Sequence, residues 1–168
     1  MTKDQLTAIN EITLQQDELL RFTHFSNRDA LELGNFMANR MYAEKKEMSV
    51  AIRKLNGMVI FQYLTEKTGL NNQNWMDRKF RTVSAMERSS LGVWVASELN
   101  GEPPAVHGLS ELEYVFAGGG FPIRLTSGEL VAVLTVSNLP HIKDHDFLIR
   151  SLKEWLKMPD VPDVPDMD

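Results

Sequence analysis

The stretch around Gly119, Gly120 and Arg124 has the residue types that bind an anion. Three glycines, 118 to 120, run directly into an extended apolar segment that carries this one arginine. Consecutive backbone N–H groups in a glycine turn can form a concave anion site, and the guanidinium would add a fixed positive charge. The alternative is that the glycines form a bulge or a tight turn into a buried strand. Because isolated glycine runs are weak motifs, the structural interpretation is favoured, and both stay open.

Trp75 and Lys79 stand one helical turn apart in a predicted helix. Together they could give a ligand an aromatic wall and a cation. The competing interpretation is a tryptophan at the edge of the core beside a solvated lysine, and it is slightly favoured.

His141 and His145 are separated by four residues near the start of the last predicted helix. This spacing places both imidazoles on one helix face, as a metal site would require, with His24 or His107 as a third ligand. The alternative is a polar helix start exposed to water. Two histidines at this spacing often occur by chance without binding a metal, so no metal is predicted.

Composition narrows the class of protein. The chain has 168 residues with 43% hydrophobic residues, a formal net charge of −5 and no cysteine. Disulfides, thiolate metal sites and a cysteine nucleophile are therefore excluded. The absence of a basic stripe with interleaved aromatics argues against a nucleic-acid partner. No apolar run is long enough to span a bilayer, and no signal peptide is recognisable, so we expect a soluble cytoplasmic protein.

Hydrophobic periodicity and turn signals predict an α+β fold. Two alternating segments around Asn56-Gly57 predict a hairpin with a type I′ turn, and a second hairpin follows the glycine run. The segment 93–95 is compatible with a helix or a strand. The predicted helices cover residues 2–20, 26–43, 72–88, 91–99 and about 141–157.

The chain is predicted to form a single domain over residues 1–158 with an acidic tail. In the tail, residues 159–168, prolines recur at 159, 162 and 165 between four aspartates. Such a composition offers little apolar surface to offset the entropy of ordering. We therefore expect the tail to be disordered and dispensable for folding.

Several of these segments in combination resemble the GlcG/HbpS-like haem-degrading-domain family. They are Gly119 to Arg124, the strand and turn 133–140, the pair Asp144-His145, and Asn74-Trp75 with Arg78-Lys79. The resemblance covers about residues 15 to 157. One departure is Asn138, where the family often has glycine; asparagine also tolerates a left-handed φ, so the turn should survive.

The resemblance implies a profilin-like fold, with an antiparallel sheet of two hairpins flanked by helices, and a homo-oligomer. It also implies a small-ligand-binding domain that binds or acts on haem or a related anionic small molecule, with haem as the candidate cofactor. The alternative is a non-enzymatic oligomeric sensor, accessory or protein-interaction protein. No catalytic residue is assigned. The predicted ligand-binding residues are Gly119, Gly120, Arg124, Trp75, Lys79 and His145.

Overall fold

Side-chain caps fix where the first helices begin in the computed structural model, which describes residues 1–165. Helix α1 spans Lys3–Leu19 and α2 spans Asn27–Ala43. A reciprocal capping box precedes each helix, with Thr2 and Ser26 as the N-cap residues. Each box satisfies two backbone N–H groups at the helix start, where the first turn leaves such groups without partners. Both helix starts predicted from the sequence are confirmed.

The remaining helices are also bounded by local signals. They are α3 (Leu70–Met86), α4 (Ser90–Asn100), a short 3-10 helix (Pro104–His107) and α5 (His141–Trp155). The hydroxyl of Ser89 caps α4, and Gly101 ends it in the left-handed conformation. Residues 93–95 lie inside α4, so the helical alternative for them is correct. Within residues 1–165, no helix is both long enough and apolar enough to cross a membrane.

Two hairpins meet in one antiparallel sheet with the strand order β2-β1-β4-β3. The strands are β1 (Ser49–Lys54), β2 (Val59–Leu64), β3 (Gly120–Arg124) and β4 (Leu130–Ser137). The central pairing of β1 with β4 joins the hairpins, and Ile52 stands opposite both Phe61 and Leu134. The predicted α+β class with an antiparallel sheet of two hairpins is confirmed.

The first hairpin turn differs from the predicted type I′ turn, which needs positive φ at both central residues. The backbone N–H of Gly57 bonds to the oxygen of Lys54 at 2.8 Å, so Leu55 and Asn56 are central. Among these four residues only Gly57 has a positive φ, of 90°. The connection is therefore a three-residue loop that ends on a left-handed glycine, and the type I′ prediction is wrong.

Helices cover both faces of the sheet. Helices α2 and α5 pack on one face, α3 packs on the other, and α1 packs against α4. The main core lies between the sheet and the pair α2 and α5, and it includes Met37, Ile52 and Phe147. A smaller cluster, centred on Ile9 and Leu91, joins α1 to α4. The layers place the start of α5 close to α3 at one end of β4.

The segment after α5 differs from the expected disordered tail over residues 159–165. Val161 is 4% exposed and belongs to the main core, and the oxygen of Pro162 accepts the side-chain amide of Gln16 at 2.7 Å. Lys153 also pairs with Asp163 at 2.8 Å. The prolines restrict the unfolded chain, so a few anchors offset the entropy of ordering. Residues 166–168 lie outside the described part of the chain.

Candidate functional site

A pocket of about 390 Å³ lies between α3 and α5, beside the segment before β3 and the turn after β4. Its size is typical of small-molecule sites. Four separate parts of the chain therefore have to pack correctly to form it. The lining residues are Asn71, Asn72, Trp75, Lys79, Ala117, Ser137, Asn138, Leu139, His141 and Asp144.

A buried ion pair forms one wall of the pocket. Nζ of Lys79 lies 2.8 Å from Oδ2 of Asp144 and donates to the backbone oxygen of Val136 at 2.9 Å. Oδ1 of Asp144 accepts the backbone N–H of Leu139 at 3.0 Å. The two side chains are 3% and 2% exposed. Desolvation therefore lowers the pKa of Lys79 and raises that of Asp144, while their mutual attraction opposes both shifts.

The glycine run lets the chain pass close to this pair. A Cβ on Gly119, whose φ is 109°, would lie 2.6 Å from Nζ of Lys79 and 2.8 Å from the oxygen of Val136. Gly120 donates its N–H to Oγ of Ser90 at 2.8 Å. Neither of these two glycines is among the residues that line the pocket. The geometry therefore agrees with the structural interpretation, in which glycine permits close packing.

The turn after β4 is held in an unusual backbone conformation at the pocket. Asn138 has a φ of 113°, which few residues other than glycine adopt. Its side-chain amide donates to the oxygen of Glu47 at 2.8 Å and accepts from the amide of Asn72 at 3.0 Å. The expectation that asparagine would support a positive φ here is confirmed. Because both the nitrogen and the oxygen of the Asn138 side chain are hydrogen-bonded, the turn at the edge of the pocket is held in place.

His141 and His145 lie one turn apart on α5 but have different surroundings. His141 is partly buried and lines the pocket, and its Nδ1 accepts the backbone N–H of Gly118 at 3.2 Å. His145 is fully buried, and its Nε2 lies 2.8 Å from Oε1 of Gln16 in α1. Burial lowers the pKa of both rings, to about 3 for His145. His145 is therefore a core residue that joins α5 to α1.

The histidines do not come together with other ligands. Within residues 1–165, no group of three or more His, Asp and Glu side chains is placed to hold a metal ion. His24 and His107, the suggested third ligands, have acidic neighbours of their own, Asp29 at 3.7 Å and Glu102 at 3.9 Å. The spacing of His141 and His145 therefore reflects the separate packing of two side chains at the start of α5.

Arg124 lies at the far end of β3 from the glycines. Its guanidinium donates to the backbone oxygens of Gly128 at 2.8 Å and Glu87 at 2.9 Å. Glu87 is the left-handed C-cap of α3, so the arginine supplies a donor to a carbonyl at the helix end. The five-residue strand spans roughly 13 Å, and Arg124 does not line the pocket. The glycines and the arginine thus do not converge on one ligand site.

The pocket brings together only part of the predicted ligand-binding set. Trp75 and Lys79 line it, Gly119 lies behind Lys79, and the other three predicted residues lie outside it. The sequence interpretation missed the partnership of Lys79 with Asp144. One signal could have revealed it: a lysine on the buried face of a helix, one turn from a tryptophan, requires a counter-charge.

The fold is that of a profilin-like α+β domain with a pocket beside its sheet. The chain belongs to the family described as "Haem degrading protein HbpS-like", whose model matches residues 25–153. It is 32% identical over 156 residues to the UPF0303 protein P4H10.12 of Schizosaccharomyces pombe, covering 91% of this chain and 87% of that protein. It is 29% identical to the UPF0303 protein YE1367 of Yersinia enterocolitica, covering 86% of each.

Solved structures share the fold. The Ybr137w protein superposes with a TM-score of 0.82 at 24% identity, covering 92% of this chain and 94% of that one. HbpS gives 0.64 at 18% identity, covering 81% and 92%. A structure described as a PduOC:Heme complex gives 0.59 at 18% identity, covering 76% and 92%. At these identities, the likeness establishes the architecture.

Proposed function

We propose that this protein is a ligand-binding domain whose pocket takes a small anionic molecule. The observation that carries the proposal is the ammonium group of Lys79. A lysine has three N–H donors, and the described residues accept two of them, through Val136 and Asp144. Lys79 also lines the pocket. A third donor on a buried cation favours a ligand that brings an oxygen acceptor, and a carboxylate or phosphate does so most strongly.

The rest of the wall suits a ligand with an apolar body. Trp75, Ala117 and Leu139 supply apolar surface around the polar groups. The guanidinium of Arg78 lies 4.9 Å from the ring centre of Trp75, which helps to hold the indole in place. A few polar groups in a mainly apolar pocket are typical of small-molecule sites.

Haem is the second candidate, because the family description and the PduOC:Heme complex point to it. The residues of the pocket do not fit haem as an iron-ligated group. Among the described residues that line the pocket, the one imidazole is His141, whose Nδ1 accepts the N–H of Gly118. Its Nε2 therefore carries the proton and has no lone pair for iron. Lys79 fits a propionate, as it fits any small carboxylate. Binding of haem would therefore have to rest on its carboxylates.

Calorimetric titration tests the proposal. The probes are benzoate, inorganic phosphate and haemin, with benzylamine as a probe of opposite charge. We expect at least one anionic probe to bind with a stoichiometry of one per chain, and benzylamine not to bind. The double variant Lys79→Met/Asp144→Asn should weaken binding roughly 10- to 150-fold, the loss of a charged hydrogen bond.

Arg124→Ala serves as the matched control, because it removes a cation of the same chain outside the pocket. It should bind as the wild type does. Failure of every anionic probe to bind at millimolar concentration would contradict the proposal. So would a loss of binding in Arg124→Ala without a loss in the double variant.

We further infer that the protein forms a homo-oligomer. Strand β2 lies at one edge of the sheet and contains no charged residue or proline, the usual means of protecting an edge. Val59 and Tyr63 on this strand are 44% and 37% exposed. Such an edge can pair with a second copy about a two-fold axis. Light scattering should give at least a dimer, and Val59→Lys should reduce its mass; a monomeric wild type would contradict the inference.

A further inference from the structure

We infer that His141 acts in the pocket as a fixed hydrogen-bond donor, so that the site selects a carboxylate or similar oxygen acceptor and does not ligate iron through histidine. The ligand part of this inference rests on the proposed function. The state of the imidazole rests on the geometry of the protein alone.

The first step is the tautomer of His141. Its Nδ1 accepts the backbone N–H of Gly118 at 3.2 Å. A ring nitrogen that accepts a hydrogen bond carries no proton, so the neutral ring carries its proton on Nε2. The ring of Trp94 packs edge-to-face against the imidazole, with 4.7 Å between centroids, and holds its orientation.

The second step is that this bond depends on a glycine. A Cβ on Gly118 would collide with the backbone oxygen of His141. A residue with a side chain could therefore not bring its N–H so close to the first turn of α5. The contact between the glycine run and the helix start thus determines which imidazole nitrogen carries the proton.

The third step concerns the other ring nitrogen, Nε2. His141 lines the pocket. Nδ1 of His145 is a buried side-chain atom that has no hydrogen-bond partner, whereas Nε2 of His141 is not one of these buried atoms. Nε2 is therefore accessible, and no described residue bonds to it. Burial and the charge of Lys79 both lower the pKa of His141, so the ring is neutral near pH 7.

The two pocket donors together define the class of ligand. Lys79 and Nε2 of His141 both offer N–H groups, and the one carboxylate of the pocket wall, Asp144, already accepts from Lys79 and Leu139. A ligand carboxylate has two oxygens for the two donors, and an apolar or aromatic body can lie against Trp75. Iron would need the lone pair of Nε2. If Nε2 provides this lone pair, the ring proton moves to Nδ1. There the proton points at the N–H of Gly118, and the hydrogen bond between Gly118 and His141 is lost.

The tautomer is tested by two-bond ¹H–¹⁵N correlation spectra of the unliganded protein. We expect His141 as the Nε2–H tautomer near pH 7. His24, which lies on the surface beside Asp29, serves as the internal reference for a solvent-exposed ring. His141→Gln identifies the signals by their loss. An Nδ1–H tautomer for His141, or a doubly protonated ring near pH 7, would overturn the inference.

Binding of benzoate tests the donor role separately. His141→Leu should weaken benzoate binding about tenfold or more, whereas His141→Gln, whose side-chain N–H₂ can replace Nε2–H, should retain most of it. Equal affinities of the wild type and His141→Leu would refute the donor role. A haemin Soret band that His141→Leu abolishes would also refute it. If no anion binds but His141 is the Nε2–H tautomer, the proposed function is refuted, while the inference about the tautomer of His141 is supported.

Discussion

The ion pair of Lys79 and Asp144 offers the sharpest test of how the pocket wall is built. Lys79→Met removes the cation and leaves the carboxylate, which is 2% exposed, with the N–H of Leu139 as its remaining partner among residues 1–165. Removing one partner of a buried pair typically costs about 3–5 kcal/mol, because the other charge stays buried without compensation. Asp144→Asn, which leaves Lys79 unpaired, should cost a similar amount.

The double variant Lys79→Met/Asp144→Asn should be much less destabilised than the sum of the two single variants. Both charges are gone, and the asparagine oxygen can still accept the N–H of Leu139. Replacing a whole buried pair by neutral groups is often close to neutral in stability. We therefore expect a coupling free energy of about 2 kcal/mol or more in a double-mutant cycle.

Urea unfolding followed by tryptophan fluorescence measures these free energies, since the chain has three tryptophans. In Lys79→Met the unpaired Asp144 has its folded-state pKa raised further above the unfolded value. The folded state then binds the proton more tightly, so the deficit of this variant should shrink as the pH falls from 7 to 5. Single variants that lose less than about 1 kcal/mol, with an additive double variant, would refute the buried pair.

Three further predictions concern other parts of the fold. Burial raises the pKa of Asp17 from 3.8 to about 6, so the ionised carboxylate destabilises the folded protein once the pH has risen through 6. Asp17→Asn removes this charge and should add up to about 3 kcal/mol to the free energy of unfolding at pH 8, and little at pH 4. Gly118→Ala should lower stability by about 1–3 kcal/mol through its clash with α5. Gly69→Ala, where a Cβ would meet open space, should cost at most about 1 kcal/mol, because alanine is a poorer N-cap of α3 than glycine. Removal of residues 159–168 should lower the Tm by roughly 5–10 °C, because the core loses Val161, whereas Asp160→Asn, at an exposed position, should leave the Tm unchanged. An unchanged Tm after the truncation would restore the expectation of a dispensable tail.

Local signals in the sequence were sufficient for much of the architecture. Capping residues, such as Thr2 and Ser26, and alternating strands around Asn56-Gly57 act over a few neighbouring residues, so the elements they define can be predicted directly. The asparagine at 138 was correctly expected to hold a positive φ for the same reason. The type I′ prediction was wrong because the glycine follows the two central residues of the turn.

The pocket and the core beside it depend on pairs that are distant in sequence. Lys79 meets Asp144 across 65 residues, and His145 meets Gln16 across 129. No local pattern marks such partners, because tertiary packing brings them together. Arg124 illustrates the reverse: its proximity to the glycines in sequence suggested a shared site, but an extended strand carries it to the opposite end of the sheet. The packed segment at 159–165 likewise depends on the side chains of α1 and α5.

The most direct test of the central claim is chemical-shift mapping of small carboxylates on ¹⁵N-labelled protein. The pocket between α3 and α5 predicts saturable shifts of the Trp75 indole N–H and of the backbone amides at 137–141 on addition of benzoate, and none on addition of benzylamine. Saturable shifts that cluster around Arg124, or equal responses to the acid and the amine, would contradict the claim that this pocket binds a small anion.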